Sequence, residues 1–283
     1  MKIFLTGGTG FICSNFINTA IKEGHDIVAI KRRNSSPRID IVGEITWVEG
    51  SLDDNYGAYL NKCDVLVHMA AYGVTDGTDN LDECLYWNVT ATYKLCKQAY
   101  ETGIKKFIII GSCFEYGMSG DRYDFIPVTA PLEPVTSYAA SKAAATVLLQ
   151  GWATEKGLYM QIMRIFHVYG EGESKTRLWP SLHKAAISGL NFEMTEGNQI
   201  RDFLHVKDAA QNLVEALKFD LIAAGLPTIR NVGSGHPQSV LEFCNYWWKK
   251  WKATGKIKPG VLSYRNNEIM RFVPDIRKVN ERN

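Results

Sequence analysis

The sequence predicts an α/β protein built on a doubly wound parallel sheet, with a smaller C-terminal lobe closing over it. Three observations point there. Short apolar runs of strand length alternate with amphipathic stretches of helix length from the first residue onward. A Gly-rich turn joins the first such run to the first helical stretch. Past Tyr169 the alternation loosens and polar, Gly-containing segments appear.

The elements follow in order. Lys2–Thr6 reads as a buried strand. Phe11–Lys22 reads as a helix with Ile12, Phe16, Ile17, Ala20 and Ile21 on one face, and Gly24 ends it. Asp26–Ile30, Ile45–Val48, Val65–His68, Lys106–Ile110 and Tyr159–Phe166 are the next strands. Leu81–Thr102 and Ser137–Lys156 are the long helices among them. Gly170–Thr176 is a loop. Val206–Leu217 is a helix with Val206, Ala209, Ala210, Leu213, Val214 and Leu217 at helical spacing. Thr228–Val232 reads as a strand, and Val240–Lys252 as a helix carrying Trp247, Trp248 and Trp251. Residues 1–168 with roughly 200–232 are assigned to the sheet domain, and roughly 169–199 with 233–283 to the smaller lobe. In such sheets, ligands bind at the carboxyl ends of the strands.

Composition excludes several functions. Lys+Arg 32 against Asp+Glu 30 leaves a formal charge of +2 over 283 residues, without the basic excess of a nucleic-acid binder. Apolar stretches such as Phe107–Ile110 fall far short of the ~18 residues of a membrane span. Ile3–Leu5 is too short for the core of a leader, so no signal peptide is expected. Cys13, Cys63, Cys84, Cys96, Cys113 and Cys244 form no Cys-x-x-Cys pair and no zinc spacing. Free thiols in a reducing, cytoplasmic setting are expected, most of them small core residues, with no metal.

Thr6-Gly7-Gly8-Thr9-Gly10-Phe11-Ile12-Cys13 occupies the strand–turn–helix junction. Its glycines permit a tight turn and let backbone N–H groups approach a pyrophosphate, which the helix N-terminus also attracts. Gly7, Thr9, Gly10, Phe11 and Ile12 are the expected contacts. Cys13 stands at the third Gly position, where close helix–strand packing is needed. About 20 residues further on, an acid would hold the ribose 2′-OH of NAD. Lys31, Arg32 and Arg33 stand there instead, and cations suit a 2′-phosphate, so NADP(H) is the expected cofactor.

Tyr138 and Lys142 lie one helical turn apart on one face. A nearby ammonium and a cationic nicotinamide favour the phenolate and are expected to lower the Tyr138 pKa. Ser112, after the fifth strand, has a hydroxyl suited to orient a substrate oxygen.

Taken with Thr6–Ile12, these residues resemble the extended short-chain dehydrogenases/reductases of the nucleotide-sugar branch. So do Val67-His68-Met69-Ala70-Ala71, Asn88, Arg164-Ile165-Phe166-His167-Val168-Tyr169-Gly170 and Arg201-Asp202-Phe203-Leu204-His205-Val206. The resemblance covers nearly the whole chain and implies a Rossmann sheet. It implies a catalytic triad of Ser112, Tyr138 and Lys142. Met69, Ala70 and Ala71 would line the cofactor groove, with Ser51, Leu52, Phe166 and Val168 completing it. Asn88 would brace the active-site helices. Arg201 and Arg265 would grip a sugar-nucleotide diphosphate, a task that suits an Arg fork. The two long helices would form a homodimer bundle.

Within that branch, dehydratases carry an Asp-Glu pair just after the Ser/Thr, where this chain has Cys113 and Phe114. Epimerase-reductases resembling GDP-fucose synthase place a Cys two residues after the Ser, where Phe114 stands. A 4-epimerase and a keto-reductase both remain, since each needs only Ser, Tyr and Lys. The cations at Lys31 and Arg32 favour the reductase. Gly197-Asn198-Gln199-Ile200-Arg201-Asp202-Phe203 and Asn267-Glu268-Ile269-Met270 resemble reductases of 4-keto-6-deoxy sugars such as CDP-abequose synthase. Cys113, Phe114 and His167 join Ser112, Arg201 and Arg265 as expected substrate contacts; a packed, hydrogen-bonded His167 is the alternative. A non-catalytic NADP-binding sensor is the competing class, with Cys13 its support. The nucleobase, the sugar (heptose included) and the C4 stereochemistry stay open. Relatives usually continue into a further helix after the segment matching Val273–Asn283, so either a short substrate lobe or an end to the resemblance is expected there.

Overall fold

The computed structural model describes residues 1–74, 80–265 and 268–277. Asn266, Asn267 and residues 278–283, part of two motif stretches above, lie outside them.

The first half carries β1 (Lys2–Thr6), α1 (Phe11–Lys22), β2 (Asp26–Lys31), β3 (Thr46–Glu49), α2 (Gly57–Leu60), β4 (Val65–His68), α3 (Leu81–Leu85), α4 (Thr92–Glu101), β5 (Lys106–Ser112) and α5 (Ser137–Lys156). The second carries β6 (Tyr159–Ile165), β7 (His167–Tyr169), α6 (Leu178–Ile187), β8 (Phe192–Glu193), β9 (Ile200–His205), α7 (Val206–Glu215), β10 (Thr228–Val232), β11 (Pro237–Ser239), α8 (Val240–Lys250), β12 (Ile257–Lys258) and β13 (Arg271–Phe272).

Seven strands form one sheet in the order β10-β6-β5-β4-β1-β2-β3. All its pairings are parallel. The strand order reverses direction between β1 and β4, and the crevice there opens at the carboxyl ends. Alternate residues of β1 face opposite ways. Ile3 and Leu5 pack with α1 and α7, through Phe16, Ile17, Leu213 and Val214. Phe4 packs on the other face with Leu95, Phe107, Leu149 and Trp152. Both faces are therefore covered, as the near-continuous apolar strands require.

The smaller sheet has β11 and β13 on either side of β9, and β7 also pairs with β9. The chain leaves the large sheet at Phe166, whose N–H still donates to the Val232 carbonyl, and enters the small one at His167. β9 thus belongs to the small sheet, whereas β10 lies at the edge of the large one.

Several elements differ from expectation. The long helix expected over Leu81–Thr102 is interrupted by a π-helical turn at Tyr86–Ala91. The Thr92 hydroxyl donates to the Trp87 carbonyl at 3.0 Å and competes with the regular helical bond there. The third strand lies one residue later and ends on Glu49, and the fifth runs on to Ser112. The expected strand over Tyr159–Phe166 stops at Ile165. Helix α6, which the sequence pattern leaves unassigned, buries Leu182 and Ala186. Among the described residues no helix is long and apolar enough to cross a membrane.

Candidate active site

The Gly-rich turn folds as its composition requires. Gly7 has φ +75°, and a Cβ there would lie 2.9 Å from the Ala70 backbone nitrogen, so the turn and the strand β4 exit touch backbone to backbone. Gly10 begins α1 without a side-chain cap, which leaves first-turn N–H groups oriented toward an anion. Cys13 is buried, and its thiol donates to the Thr6 carbonyl at 3.5 Å; burial pushes its pKa up. The thiol thus fills the helix–strand contact at the third Gly position.

The groove is fixed by a buried chain of hydrogen bonds. The Met69 and Ala70 N–H groups both donate to Thr6 Oγ1 at 3.1 Å. Thr6 Oγ1 lies 2.9 Å from His68 Nδ1, and His68 Nε2 lies 3.0 Å from Thr92 Oγ1. Thr92 uses its own proton on Trp87, so His68 donates from Nε2 and accepts at Nδ1 from Thr6. Burial, with Lys142 nearby, lowers the His68 pKa to about 3 and keeps it neutral.

Asn88, in the π turn, accepts from the Tyr72 N–H at 2.8 Å and donates to Ser141 Oγ at 2.8 Å. Ser141 in turn donates to the Tyr138 carbonyl. Asn88 therefore ties the loop after β4 to the first turn of α5.

Beyond β2 the surface is basic. Arg32 lies between two adjoining depressions. Thr9, Gly10, Ser35, Ser36 and Arg38 line one. Arg33, Glu49, Gly50 and Ser51 line the other. Lys31 does not project freely: its ammonium lies 3.3 Å from Glu49, an acid the sequence pattern gave no reason to place there. Arg38 was likewise missed, because it sits in a loop beyond the motif.

Ser112, the last residue of β5, is buried and hydrogen-bonded to Tyr138. Its Oγ accepts from the Phe114 N–H, so the proton is available to the phenol. Lys142 is buried, and its ammonium donates to the Ile110 carbonyl at 2.6 Å. In the protein alone Lys142 is not among the groups that set the Tyr138 pKa. Burial dominates and pushes the phenol up to about 12, with Cys113 and Glu115 adding to the rise and Ser112 and Arg177 opposing it. Tyr138 therefore holds its proton at neutral pH.

Cys113 is buried, with its thiol pKa pushed up. Phe114 is exposed and edges onto His167, with ring centroids 6.1 Å apart. The Phe166 ring packs between Tyr116 and Phe272, so only its backbone is open to a ligand. His167 Nδ1 is buried without a hydrogen-bond partner among the described residues. Burial, Arg201 and Arg177 lower its pKa to about 3.

These parts surround the carboxyl ends of a doubly wound parallel sheet, and known proteins match them. The description "NAD dependent epimerase/dehydratase family" fits residues 3–233. The chain belongs to the NAD dependent epimerase/dehydratase family. A UDP-glucose 4-epimerase of Corynebacterium glutamicum is 26% identical, over 86% of this chain and 79% of that one. A dTDP-D-glucose 4,6-dehydratase of Mus musculus is 27% identical, over 85% and 70%. MoeE5, solved in complex with UDP-glucuronic acid and NAD, superposes with a TM-score of 0.83 at 25% identity, covering 98% of this chain and 90% of that one.

Two arginines behave differently in this epimerase/dehydratase family member. Arg201 is largely buried and paired with Glu268 at 2.6 Å, while its charge reaches Cys113 and His167. Arg265 is exposed beside residues 266–267, which lie outside the described ones. Arg177 was missed because a polar loop precedes it. It donates to the Val74 carbonyl at 3.1 Å, and its charge acts on Tyr138, His167 and Glu173. Glu173 Oε2, Trp179 Nε1 and Gln199 Oε1 are buried polar atoms of this half that also lack partners among the described residues. Among the described residues no His, Cys, Asp and Glu cluster could hold a metal.

Proposed function

We propose that the chain is an NADPH-dependent reductase of the C4 keto group of a nucleotide-linked 4-keto-6-deoxy sugar, supplying surface-polysaccharide precursors in the cytoplasm. One observation carries this reading. Arg32 and Arg38 line a depression beside Thr9 and Gly10, placed for the added phosphate of NADPH, while Tyr138, hydrogen-bonded to Ser112, is a neutral proton donor.

The glycine cradle at Gly7, the uncapped α1 N-terminus at Gly10 and the basic lining at Arg32 and Arg38 fit a dinucleotide with an added phosphate. Lys31, Arg32 and the Ser51 region would hold its adenosine end, and Met69–Ala71 its middle. Bound there, NADPH supplies the hydride. Ser112 orients the sugar carbonyl. Tyr138 gives its proton to the oxygen as negative charge develops on it. Lys142, buried and cationic, stabilises that charge from beneath and is re-aimed from Ile110 toward the ribose. The His167, Arg201 and Arg177 cluster faces the diphosphate, and the unpartnered His167 Nδ1 gains a hydrogen bond there.

A second reading, an NAD-retaining nucleotide-sugar 4-epimerase, is favoured by five relatives named UDP-glucose 4-epimerase. The two readings separate on cofactor use. NADPH consumption with dTDP-, CDP- or GDP-linked 4-keto sugars, tested beside NADH, is the result expected of the reductase. Tightly bound NAD in the purified protein, with interconversion of 4-hydroxy epimers and no net NADPH consumption, would replace it with the epimerase.

A homodimer is part of this proposal. Leu81 and Leu85 on α3 and Val147 and Leu148 on α5 are exposed apolar residues on helices that pack together.

A further inference from the structure

Glu115 has no exposed surface and lies between Phe114 and Tyr116, just past the catalytic strand. A buried carboxylate persists only when it is paired and hydrogen-bonded. Here it is both. Oε1 accepts from the Ser112 N–H at 2.8 Å. Oε2 accepts from Arg164 Nε at 2.8 Å and from the Thr146 hydroxyl at 2.9 Å. One side chain therefore joins the end of β5, strand β6 and helix α5, the last carrying both Tyr138 and Lys142.

The neighbours are shaped around it. Gly111 stands opposite Arg164 in the sheet, and a Cβ at Gly111 would lie 2.7 Å from Glu115 Oε1. The Arg164 guanidinium stacks over the Tyr116 ring at 4.6 Å, and Tyr116 donates to Asn231 at 2.7 Å.

We propose that Glu115 is a positioning residue for the reaction, its carboxylate locking Ser112, α5 and Arg164 together beneath the reacting groups. The inference rests on the reading of Tyr138 as proton donor. Its charge acts in the same sense as its geometry. It opposes ionisation of Tyr138 and favours the ammonium form of Lys142. The other groups facing Tyr138 are Ser112, Cys113 and Arg177. Those facing Glu115 from neighbouring elements are Arg164, Tyr116, Cys113, Tyr138 and Lys142. A merely structural ion pair would leave kcat of a folded E115D protein near the wild-type value.

The test is the ionisation of Tyr138, read as tyrosinate absorbance of the wild type minus Y138F, and of E115Q minus E115Q/Y138F. The comparison is made over the pH range in which circular dichroism shows each protein folded. Tyr138 is expected to begin ionising lower in E115Q, by about half a pH unit or more. E115D, which keeps the charge and shortens the reach, is expected to titrate like the wild type while kcat falls about tenfold and KM for NADPH changes little. Because E115Q leaves Arg164 unpaired, E115Q/R164M serves if the single variant does not fold. An unchanged Tyr138 titration in the folded Gln variant, or a wild-type kcat in folded E115D, would overturn the proposal. The absorbance readout needs no substrate, so a protein that fails to consume NADPH would sink the reductase reading while leaving this result to stand or fall separately.

Discussion

The Lys142 ammonium donates to the Ile110 carbonyl at 2.6 Å, two residues before Ser112 on the same strand. That bond draws the cation under the sheet edge, and burial governs the phenol of Tyr138, whose pKa is pushed up to about 12. A neutral phenol is a proton donor. Tyr138→Phe removes the donor and leaves the cofactor groove intact. Reduction is expected to slow by about 10²- to 10⁴-fold, with NADPH affinity within a few-fold of wild type. Steady-state kinetics beside fluorescence titration of NADPH check both halves.

The proposed preference for NADPH over NADH rests on the basic lining at Arg32 and Arg38. Lys31 contributes less than its position suggests, because Glu49 already pairs with it. In R32S/R38S the Kd for NADPH is expected to rise at least about tenfold, while that for NADH moves much less. Equal losses for both cofactors would place these arginines outside the 2′-phosphate site.

Acid sensitivity has an identifiable source at His68. Its pKa is lowered from 6.5 to about 3 in the folded protein. As pH falls below 6.5, the unfolded chain takes up a proton that the folded chain refuses. Stability is therefore complete above 6.5 and is lost progressively down to about 3, at up to about 1.4 kcal/mol per pH unit for this group. H68Q is expected to be less stable at neutral pH but to lose stability less steeply across that window. Urea unfolding at a series of pH values measures the slope.

The apolar face of α3 and α5 is expected to close a dimer. Val147 is 59% exposed and Leu148 44% exposed on a helix whose other face is core. V147E puts a charge at that face and is expected to shift the protein to monomer, as read by analytical ultracentrifugation.

The sheet and its helices were legible because buried parallel strands read as short apolar runs and α1, α5 and α7 keep helical spacing. The nearness of Ser112, Tyr138 and Lys142 was legible for the same reason, since strand end and helix start fall at one sheet edge. What stayed hidden depends on side chains meeting across elements. Glu49 faces Lys31 only through the parallel register of β2 and β3, in which the two residues are partners. The π turn follows from one hydroxyl, that of Thr92, choosing the Trp87 carbonyl. Helix α6 has Arg177 at its N-cap position and Pro180 in its first turn, after a polar loop that hides its start. Glu115 reads locally as a surface residue, and only the fold brings Arg164 and Thr146 to it.

The central claim is hydride delivery to C4 by a cofactor that is consumed. Its most direct test uses NADPH deuterated at the transferred position, a 4-keto-6-deoxy sugar nucleotide and mass spectrometry with NMR of the product. One deuterium at C4 of the sugar, with one NADP⁺ formed per turnover, is the expected result. Unreduced 4-keto sugar without deuterium and no NADP⁺ released, beside interconversion of 4-hydroxy epimers in a parallel incubation, would contradict it.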